Sequence, residues 1–313
     1  MTITRFKNII LNNSLYKGLI HLLSRWKIPG FEGVSLIDVI KAFRVQIKMV
    51  GLRERAAAVS YHFIMALPPS FLFLFTLLPH LPFFSIKSIK TQLHAVIYDI
   101  IPAKEYNDNL IKFIDSFIDQ SLIGLLSFSL LLSLFFASNA MMGLMRAFNK
   151  KYHGLTNRKG IYVRWVAIKL TFIVFGLLMA CLLLMVMQGK LLNWLVKDTG
   201  WRTVILYTRW IFITLLIYFI IAFIYRYAPA VQKRWKISNP GTFIATLLCI
   251  LSSLGFSIFV DNFGRFNALY GSIGTLFMVM ALVFINSLAL LIGFELNVSI
   301  KSTKAKQEQY KNL

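Results

Sequence analysis

Residues 272–298, SIGTLFMVMALVFINSLALLIGFELNV, decide the fold of this chain. The stretch contains a single charged residue, Glu295. A helix needs about 20 apolar residues to cross roughly 30 Å of hydrocarbon, so this segment is long enough to span a membrane. We therefore expect a transmembrane helix here, and the rest of the chain has to be interpreted with lipid as its main solvent.

The composition extends this expectation to the whole chain. Of 313 residues, 58% are apolar and 15% are charged, and the mean hydropathy is +0.68. Soluble domains carry about 25% charged residues, so a soluble enzyme is excluded. Six apolar stretches have spanning length, at 58–83, 121–145, 165–187, 204–225, 240–260 and 272–298. The sequence predicts an all-α, polytopic membrane protein with six transmembrane helices.

The distribution of basic residues predicts the orientation of these spans. The net charge is +22. The leader 1–55, the loops 146–164 and 226–239 and the tail 299–313 together hold 24 basic residues, against eight in the three intervening segments. Because Lys and Arg are enriched in cytoplasmic loops, both termini are predicted to be cytoplasmic. We expect this charge to meet the anionic headgroups of membrane lipids rather than nucleic acid.

The chain divides into a basic leader, 1–55, a membrane domain, 56–300, and a basic tail, 301–313. Within the leader, 36–55 has apolar residues at helical spacing among Lys and Arg, which predicts an amphipathic helix. It either lies on the inner leaflet or packs under the helix bundle. The outer loop, 84–120, is predicted to form two further amphipathic helices whose acidic residues face water.

Helix-breaking residues mark the first span as a candidate cavity. Pro68 and Pro69 each remove a backbone donor, so the helix is predicted to kink or break there. Freed backbone carbonyls in a membrane need protein or a water-filled cavity around them. Tyr61 and His62 lie about two turns earlier and join this candidate site. The alternative is a packing kink with no cargo.

Polar residues inside later spans extend the candidate site. Ser138 and Asn139 lie among small residues that permit close helix contact, and packing alone would explain them. Asn267, Tyr270, Gly271 and Gly274 precede the last span and indicate either a tight turn or an unwound segment that faces substrate. Asn286 continues the polar positions towards Glu295. The Glu295 carboxylate either caps a helix contact or lines a polar cavity.

The sequence predicts no catalytic, metal or cofactor site. Cys181 and Cys249 lie in separate apolar stretches and do not form a metal-binding spacing. The five histidines are scattered along the chain. The five carboxylates of the outer loop lack the alternating oxygen ligands of a compact calcium loop.

Ordered motifs in four regions identify a family. They are Arg55-Ala56-Ala57-Ala58-Val59-Ser60-Tyr61 leading to Pro68-Pro69; Ser138-Asn139 with Asn149 and Tyr152; Pro229, Trp235 and Pro240-Gly241; and Asn267-Ala268-Leu269-Tyr270-Gly271-Ser272-Ile273-Gly274 with Leu291-Ile292-Gly293-Phe294-Glu295-Leu296-Asn297. Over residues 40–300 the chain resembles the YihY/BrkB membrane proteins, for which ribonuclease BN was an early label. The resemblance implies a six-span protein of the bacterial inner membrane, with a link to envelope lipid export in some members and no agreed catalytic residues.

Three functions are compatible with these observations. The first is a transporter or flippase for an envelope lipid or another amphiphile, with a gradient or a partner as its energy source, because the chain has no GxxxxGK[ST] loop. The second is a scaffold that assembles envelope proteins. The third is a ribonuclease-type hydrolase, which the scattered histidines and carboxylates disfavour.

Overall fold

The computed structural model describes residues 30–77, 80, 90–91, 94, 111–112, 115–116, 123–149, 160–195, 199–231, 234–262 and 266–311. In these ranges the long elements are helices: α1 Leu36–Val50, α2 Leu52–Leu77, α3 Ile123–Phe148, α4 Ile161–Leu195, α5 Thr199–Tyr227, α6 Pro240–Asn262 and α7 Phe266–Lys311. The described residues form no strands, which confirms the predicted all-α class. The outer-loop helices predicted at 84–120 lie almost wholly outside the described residues.

The leader helix begins and ends at well-defined caps. The Ser35 hydroxyl accepts a hydrogen bond from the Asp38 backbone N–H at 3.3 Å, which satisfies one of the free donors of the first turn. At the other end, Gly51 has a φ of 59° and ends the helix in the left-handed conformation. The amphipathic helix therefore ends at Val50, and Arg55 belongs to the long helix that follows.

Helix α2 runs without interruption through Pro68 and Pro69. Of the two outcomes that the prolines predicted, the break is therefore wrong. The Ser70 hydroxyl donates to the Ala66 carbonyl at 2.7 Å, next to the carbonyls that the two prolines leave without an N–H donor.

Among the described residues, five helices are long and apolar enough to cross a membrane. The spanning stretches are Leu52–Leu77, Gly124–Phe148, Ile161–Met179, Pro240–Phe259 and Leu276–Lys311. Helix α5 covers the predicted fourth span, 204–225, and its shorter apolar part is Ile211–Tyr227. The total of six spans therefore stays a prediction, although five of the expected positions carry a suitable helix.

The described residues fall into two compact units. Unit 1 takes its residues from Met1–Ala58, Arg146–Arg158 and Thr214–Leu313, and unit 2 from Val59–Met145 and Lys159–Ile213. In unit 2, Thr76 of α2 and Ser129 of α3 form a hydrogen bond of 3.0 Å, and Phe73 packs against Phe175 of α4. In unit 1, α7 packs against both α6 and α1.

Unit 1 contains described residues from each of the four basic segments, and these residues contact one another. Glu32 of the leader pairs with Lys301 and Lys304 of the tail. Arg55 donates to the carbonyl of Ala147, and the side chain of Asn149 accepts from the backbone N–H of Ala230. These contacts link described residues of the four segments to one another. The tail is not separate from the last span, because α7 continues as one helix to Lys311.

Candidate functional site

A buried ion pair is the centre of the candidate site in unit 1. Arg55 Nη1 of α2 lies 2.6 Å from Glu295 Oε1 of α7, and the two side chains are 7% and 0% exposed. The second terminal nitrogen of Arg55 donates to the carbonyl of Ala147, close to the last residue of α3. That carbonyl has no donor within its own helix, so the guanidinium also caps the helix end. One side chain thus joins three helices.

One N–H group of Arg55 makes no hydrogen bond in the described part of the chain. Its Nε–H is buried, and no described atom accepts a hydrogen bond from it. Unsatisfied buried donors cost about 1–3 kcal/mol, so folded proteins contain few of them. A guanidinium is able to hold a carboxylate or a phosphate through two parallel hydrogen bonds. The spare donor therefore leaves Arg55 able to bind a second anionic oxygen.

Aromatic rings surround the stretch of α7 that carries Glu295. Phe148 and Phe294 stack with their centroids 4.1 Å apart, and Trp235 stacks on Phe294 at 5.4 Å. Tyr225 meets both phenylalanines edge-on, and its hydroxyl donates to the carbonyl of Leu290. These rings keep water from the neighbouring ion pair, and a low dielectric strengthens the attraction between its charges.

Two glycines allow α6 and α7 to approach closely beside these rings. A Cβ atom on Gly293 would lie 2.5 Å from the carbonyl oxygen of Gly241, 2.6 Å from Cβ of Ala245 and 2.7 Å from the hydroxyl of Tyr225. Cβ atoms in proteins essentially never lie within 3.0 Å of such neighbours. Any other residue at 293 would therefore push the two helices apart.

Asparagine side chains complete this contact at the start of α6. The Asn297 side chain accepts from the Gly241 N–H at 2.9 Å and donates to Asn239 Oδ1 at 2.6 Å. Asn239 in turn accepts from the backbone N–H of Thr242 at 2.9 Å, as an N-cap residue does. The first turn of α6 is therefore satisfied by side chains of unit 1.

Asn286 lies in a separate polar contact on α7. It donates to the carbonyl of Leu282 at 3.0 Å and accepts from the hydroxyl of Ser252 on α6 at 3.4 Å. Gly274 is buried farther along the same helix. The tight turn or unwound segment predicted at 267–274 is wrong, because α7 is helical from Phe266 onwards. The side chains of Asn267 and Tyr270, and the surroundings of Gly271, lie outside the described residues.

The remaining predicted residues belong to unit 2, where they make different contacts. His62 is half-buried against Gly143 of α3, and Tyr61 beside it is exposed. Pro69 is buried, whereas Pro68 is exposed. Ser138 donates to the Phe135 carbonyl of its own helix. A single cavity lined by all the predicted residues remains a prediction.

Asn139 has the most specific contact of this group. Its side-chain oxygen accepts from Arg164 of α4, and the guanidinium of Arg164 lies 5.0 Å from the centroid of the Phe135 ring. The amide and the ring together stabilise the charge of an arginine on an apolar helix. Asn139 therefore holds two helices of unit 2 together.

Sequence reasoning missed several residues of the unit 1 site. Arg55, Trp235, Gly241, Gly293 and Asn297 all stood in the family motifs, but none was predicted as a site residue. Arg55 was counted with the basic leader, although it is followed at once by the first apolar stretch. An arginine at one end of a span and a lone glutamate inside another are charges of opposite sign, and that signal could have paired them.

The described residues contain no group of three His, Cys, Asp or Glu side chains that could hold a metal ion.

Comparison with known proteins gives the family. The sequence matches the family described as "Virulence factor BrkB" over residues 45–312. The chain belongs to this family. It is an all-α, multi-pass integral membrane protein.

Relatives of this BrkB-family chain carry two kinds of name. The "Putative ribonuclease-like protein YfkH" of Bacillus subtilis (strain 168) is 28% identical over 266 residues, which cover 80% of this chain and 91% of that protein. The "UPF0761 membrane protein IL2447" of Idiomarina loihiensis is 28% identical over 100 residues, covering 32% of this chain and 34% of the relative. The "UPF0761 membrane protein PSHAa0171" of Pseudoalteromonas translucida is 25% identical over 77 residues, covering 25% and 26%. No solved structure matches the chain.

Proposed function

We propose that this protein is a transporter or flippase for an envelope lipid or another anionic amphiphile. The observation that carries the proposal is the buried Arg55–Glu295 pair in an otherwise apolar helical protein. Ionisable residues inside membrane proteins are costly and mark the pathways of substrates or ions more often than they mark simple packing. Apolar residues of similar size would hold the same helices at a lower desolvation cost.

The mechanism that we propose is an exchange of anions on Arg55. An incoming phosphate group competes with Glu295 for the guanidinium, using the Nε–H donor that is free in the described part of the chain. Loss of the carboxylate from Arg55 loosens the link between α2 and α7 while the substrate is bound. Return of Glu295 to Arg55 then displaces the phosphate and restores the link. A gradient or a partner protein supplies the free energy.

We further propose that the protein lies in the bacterial inner membrane with both termini in the cytoplasm. The contacts among the four basic segments in unit 1 support a common side for them, and the positive-inside rule gives that side. A cysteine placed at position 108 in the outer loop tests the orientation. Labelling by an impermeant reagent from outside the cell is expected, and labelling from the cytoplasm alone would contradict it.

The test of transport is lipid movement in vesicles that contain the purified protein. The decisive variant is Arg55→Met/Glu295→Leu, which removes both charges and keeps the side-chain volume. We expect the native protein to move fluorescent phosphatidylglycerol between leaflets, and the double variant to fold but to lose this activity. Gly255→Ala is the matched control, because a Cβ at Gly255 meets nothing within 4 Å. Equal rates in the native protein and the double variant would contradict the proposed mechanism.

The second candidate function is a scaffold for envelope-assembly proteins. The tight contact of Gly241 with Gly293 favours it, because such surfaces also serve helix association in membranes. A scaffold predicts no lipid movement in the vesicle assay with any headgroup or gradient. It also predicts that the native protein and the double variant recover the same partners from membranes. Loss of partners in the double variant alone would count against a pure scaffold.

A further inference from the structure

The leader helix α1 is held to unit 1 by one of its sides. Val39 is fully buried, and it packs with Phe31, Val34 and Ile300 of α7 in one apolar cluster. Glu32, in the turn before the helix, pairs with two lysines of α7. The sequence left open whether this helix lies on the inner leaflet or packs under the helix bundle. The structure packs one side of α1 against α7. It leaves the opposite side of the helix exposed.

An apolar band lies next to the buried side. At about 100° per residue, Phe43, Leu36, Ile47 and Ile40 follow one another around the helix from the direction of Val39. The first three are half-buried, and Ile40 is 42% exposed. Ile40 therefore forms the exposed edge of this apolar band in the described part of the chain.

A basic band follows the apolar one. Lys41, Arg44 and Lys48 fall within about 60° of one another, directly beyond Ile40, and all three are exposed. The helix contains one acidic residue, Asp38, and its carboxylate accepts a hydrogen bond from the Ser35 hydroxyl at 2.9 Å. The basic band therefore carries a net positive charge beside a partly exposed apolar strip.

We propose that Ile40, Lys41, Phe43, Arg44, Ile47 and Lys48 form a docking face for the anionic surface of the membrane leaflet in which α2 begins. Apolar residues at the acyl boundary, next to lysine and arginine at headgroup depth, are the pattern of an interfacial helix. Each basic residue near an anionic surface strengthens binding about fivefold. Helix α2 starts at Leu52, only one residue after α1 ends, so the docking face cannot be far from that surface. The inference is independent of whether the protein transports lipid.

The test measures the depth of two positions on the same helix in lipid nanodiscs. Full-length protein with Cys181→Ala and Cys249→Ala carries a single cysteine, Ile40→Cys or Val45→Cys, labelled with an environment-sensitive fluorophore. Val45 is 57% exposed and lies on the other side of the basic band, so it is the matched control. Spin-labelled phosphatidylcholine quenches probes that reach the lipid. Nanodiscs contain phosphatidylcholine alone or mixed with phosphatidylglycerol.

We expect severalfold stronger quenching at position 40 than at 45, and stronger quenching when phosphatidylglycerol is present. Lys41→Gln/Arg44→Gln should shift the docking equilibrium about 25-fold towards water. Lys306→Gln/Lys311→Gln removes the same charge from the exposed end of α7 and should leave the quenching unchanged.

Three results would overturn the proposal. The first is equal quenching at positions 40 and 45. The second is quenching that changes neither with phosphatidylglycerol nor with the Lys41→Gln/Arg44→Gln substitutions. The third is protection of position 40 that rises with the number of protein copies per nanodisc and not with lipid charge, which would assign the face to a second copy of the chain. Unchanged thermal unfolding of each variant shows that the fold is intact.

Discussion

Helix α7 forms ion pairs with the N-terminal part of the chain at two places, only a few residues apart. Glu295 meets Arg55 in a fully buried position, whereas Lys301 and Lys304 meet Glu32 with side chains that are 45%, 38% and 26% exposed. Exposed pairs are worth about 0–1 kcal/mol because water and salt screen them. A buried pair has a large desolvation cost, so removal of one partner is severe. Loss of one partner should therefore cost more in the inner pair, Arg55 with Glu295, than in the outer pair, Glu32 with its two lysines.

The largest effect is expected for Glu295→Leu. This change leaves the Arg55 guanidinium buried without a counter-charge, which costs about 3–5 kcal/mol. Denaturation in mixed micelles measures the loss. Glu308→Gln on the same helix is the control, because its carboxylate is exposed and lies 3.8 Å from Lys304. Equal loss of stability in the two variants would contradict the larger contribution expected from the buried Glu295.

The next effect is expected for Gly293→Val, which tests the helix contact beside the inner pair. Its new methyl groups would overlap the Gly241 carbonyl and the Tyr225 hydroxyl, and overpacking of this kind costs about 1–3 kcal/mol. The same unfolding assay measures it. Gly255→Ala in α6 should be neutral or stabilising by up to about 1 kcal/mol, because alanine is the better helix former and the site is open. Equal destabilisation by both changes would show that the Gly241–Gly293 contact is not tight.

A smaller net effect on stability is expected for Arg55→Met/Glu295→Leu. Replacement of both charges by apolar groups removes the desolvation cost together with the attraction, so stability should return to within about 1 kcal/mol of the native protein, or rise above it. The carbonyl of Ala147 loses its donor, which limits the gain. A double variant as unstable as Glu295→Leu would mean that the two side chains do not act as a pair.

Much of the fold was predictable because apolar length and periodicity decide it. The spans predicted at 58–83, 121–145, 165–187, 240–260 and 272–298 each coincide with a helix that is long and apolar enough to cross a membrane. The end of the leader helix was less predictable, since Gly51 rather than the amphipathic pattern determines it. Helix α2 was also not predicted to continue without a break through Pro68, or helix α7 to include residues 266–274. Local propensity disfavours proline and glycine there, and a rule based on propensity cannot see packing that overrides it.

Of the two charged residues at the centre of the candidate site, only Glu295 was predictable from the sequence. Glu295 stood out because a lone carboxylate in an apolar stretch has to find a partner. Arg55 did not, because its neighbours Arg53 and Glu54 made it resemble the rest of the charged leader. Which of several basic residues meets Glu295 depends on how α2 and α7 pack, and the order of residues along the chain does not contain that information. The same holds for Gly293, whose role requires the position of Gly241.

The smallest effect is expected for the outer pair, and its dependence on pH distinguishes it from the inner one. Partial burial works to raise the pKa of Glu32, but the hydrogen bonds and charges of Lys301 and Lys304 outweigh it, so the pKa is lowered from the ordinary value of 4.5. A carboxyl group with a lowered pKa in the folded state stabilises the fold above its unfolded pKa. The contribution is lost as the pH falls below 4.5 through the folded value.

Glu32→Gln should therefore cost at most about 1 kcal/mol at neutral pH. The difference from the native protein should vanish as the pH falls through this range. Glutamine keeps the length of the side chain at a position whose φ is 51°, so the backbone of the turn is subject to the same restriction in both proteins. Unfolding midpoints of the two proteins at neutral pH and at low pH measure the change. A difference in unfolding midpoint that stays the same at low pH would mean that Glu32 stabilises the fold through packing and not through its charge. The inner and outer pairs would then differ only in how deeply their side chains are buried.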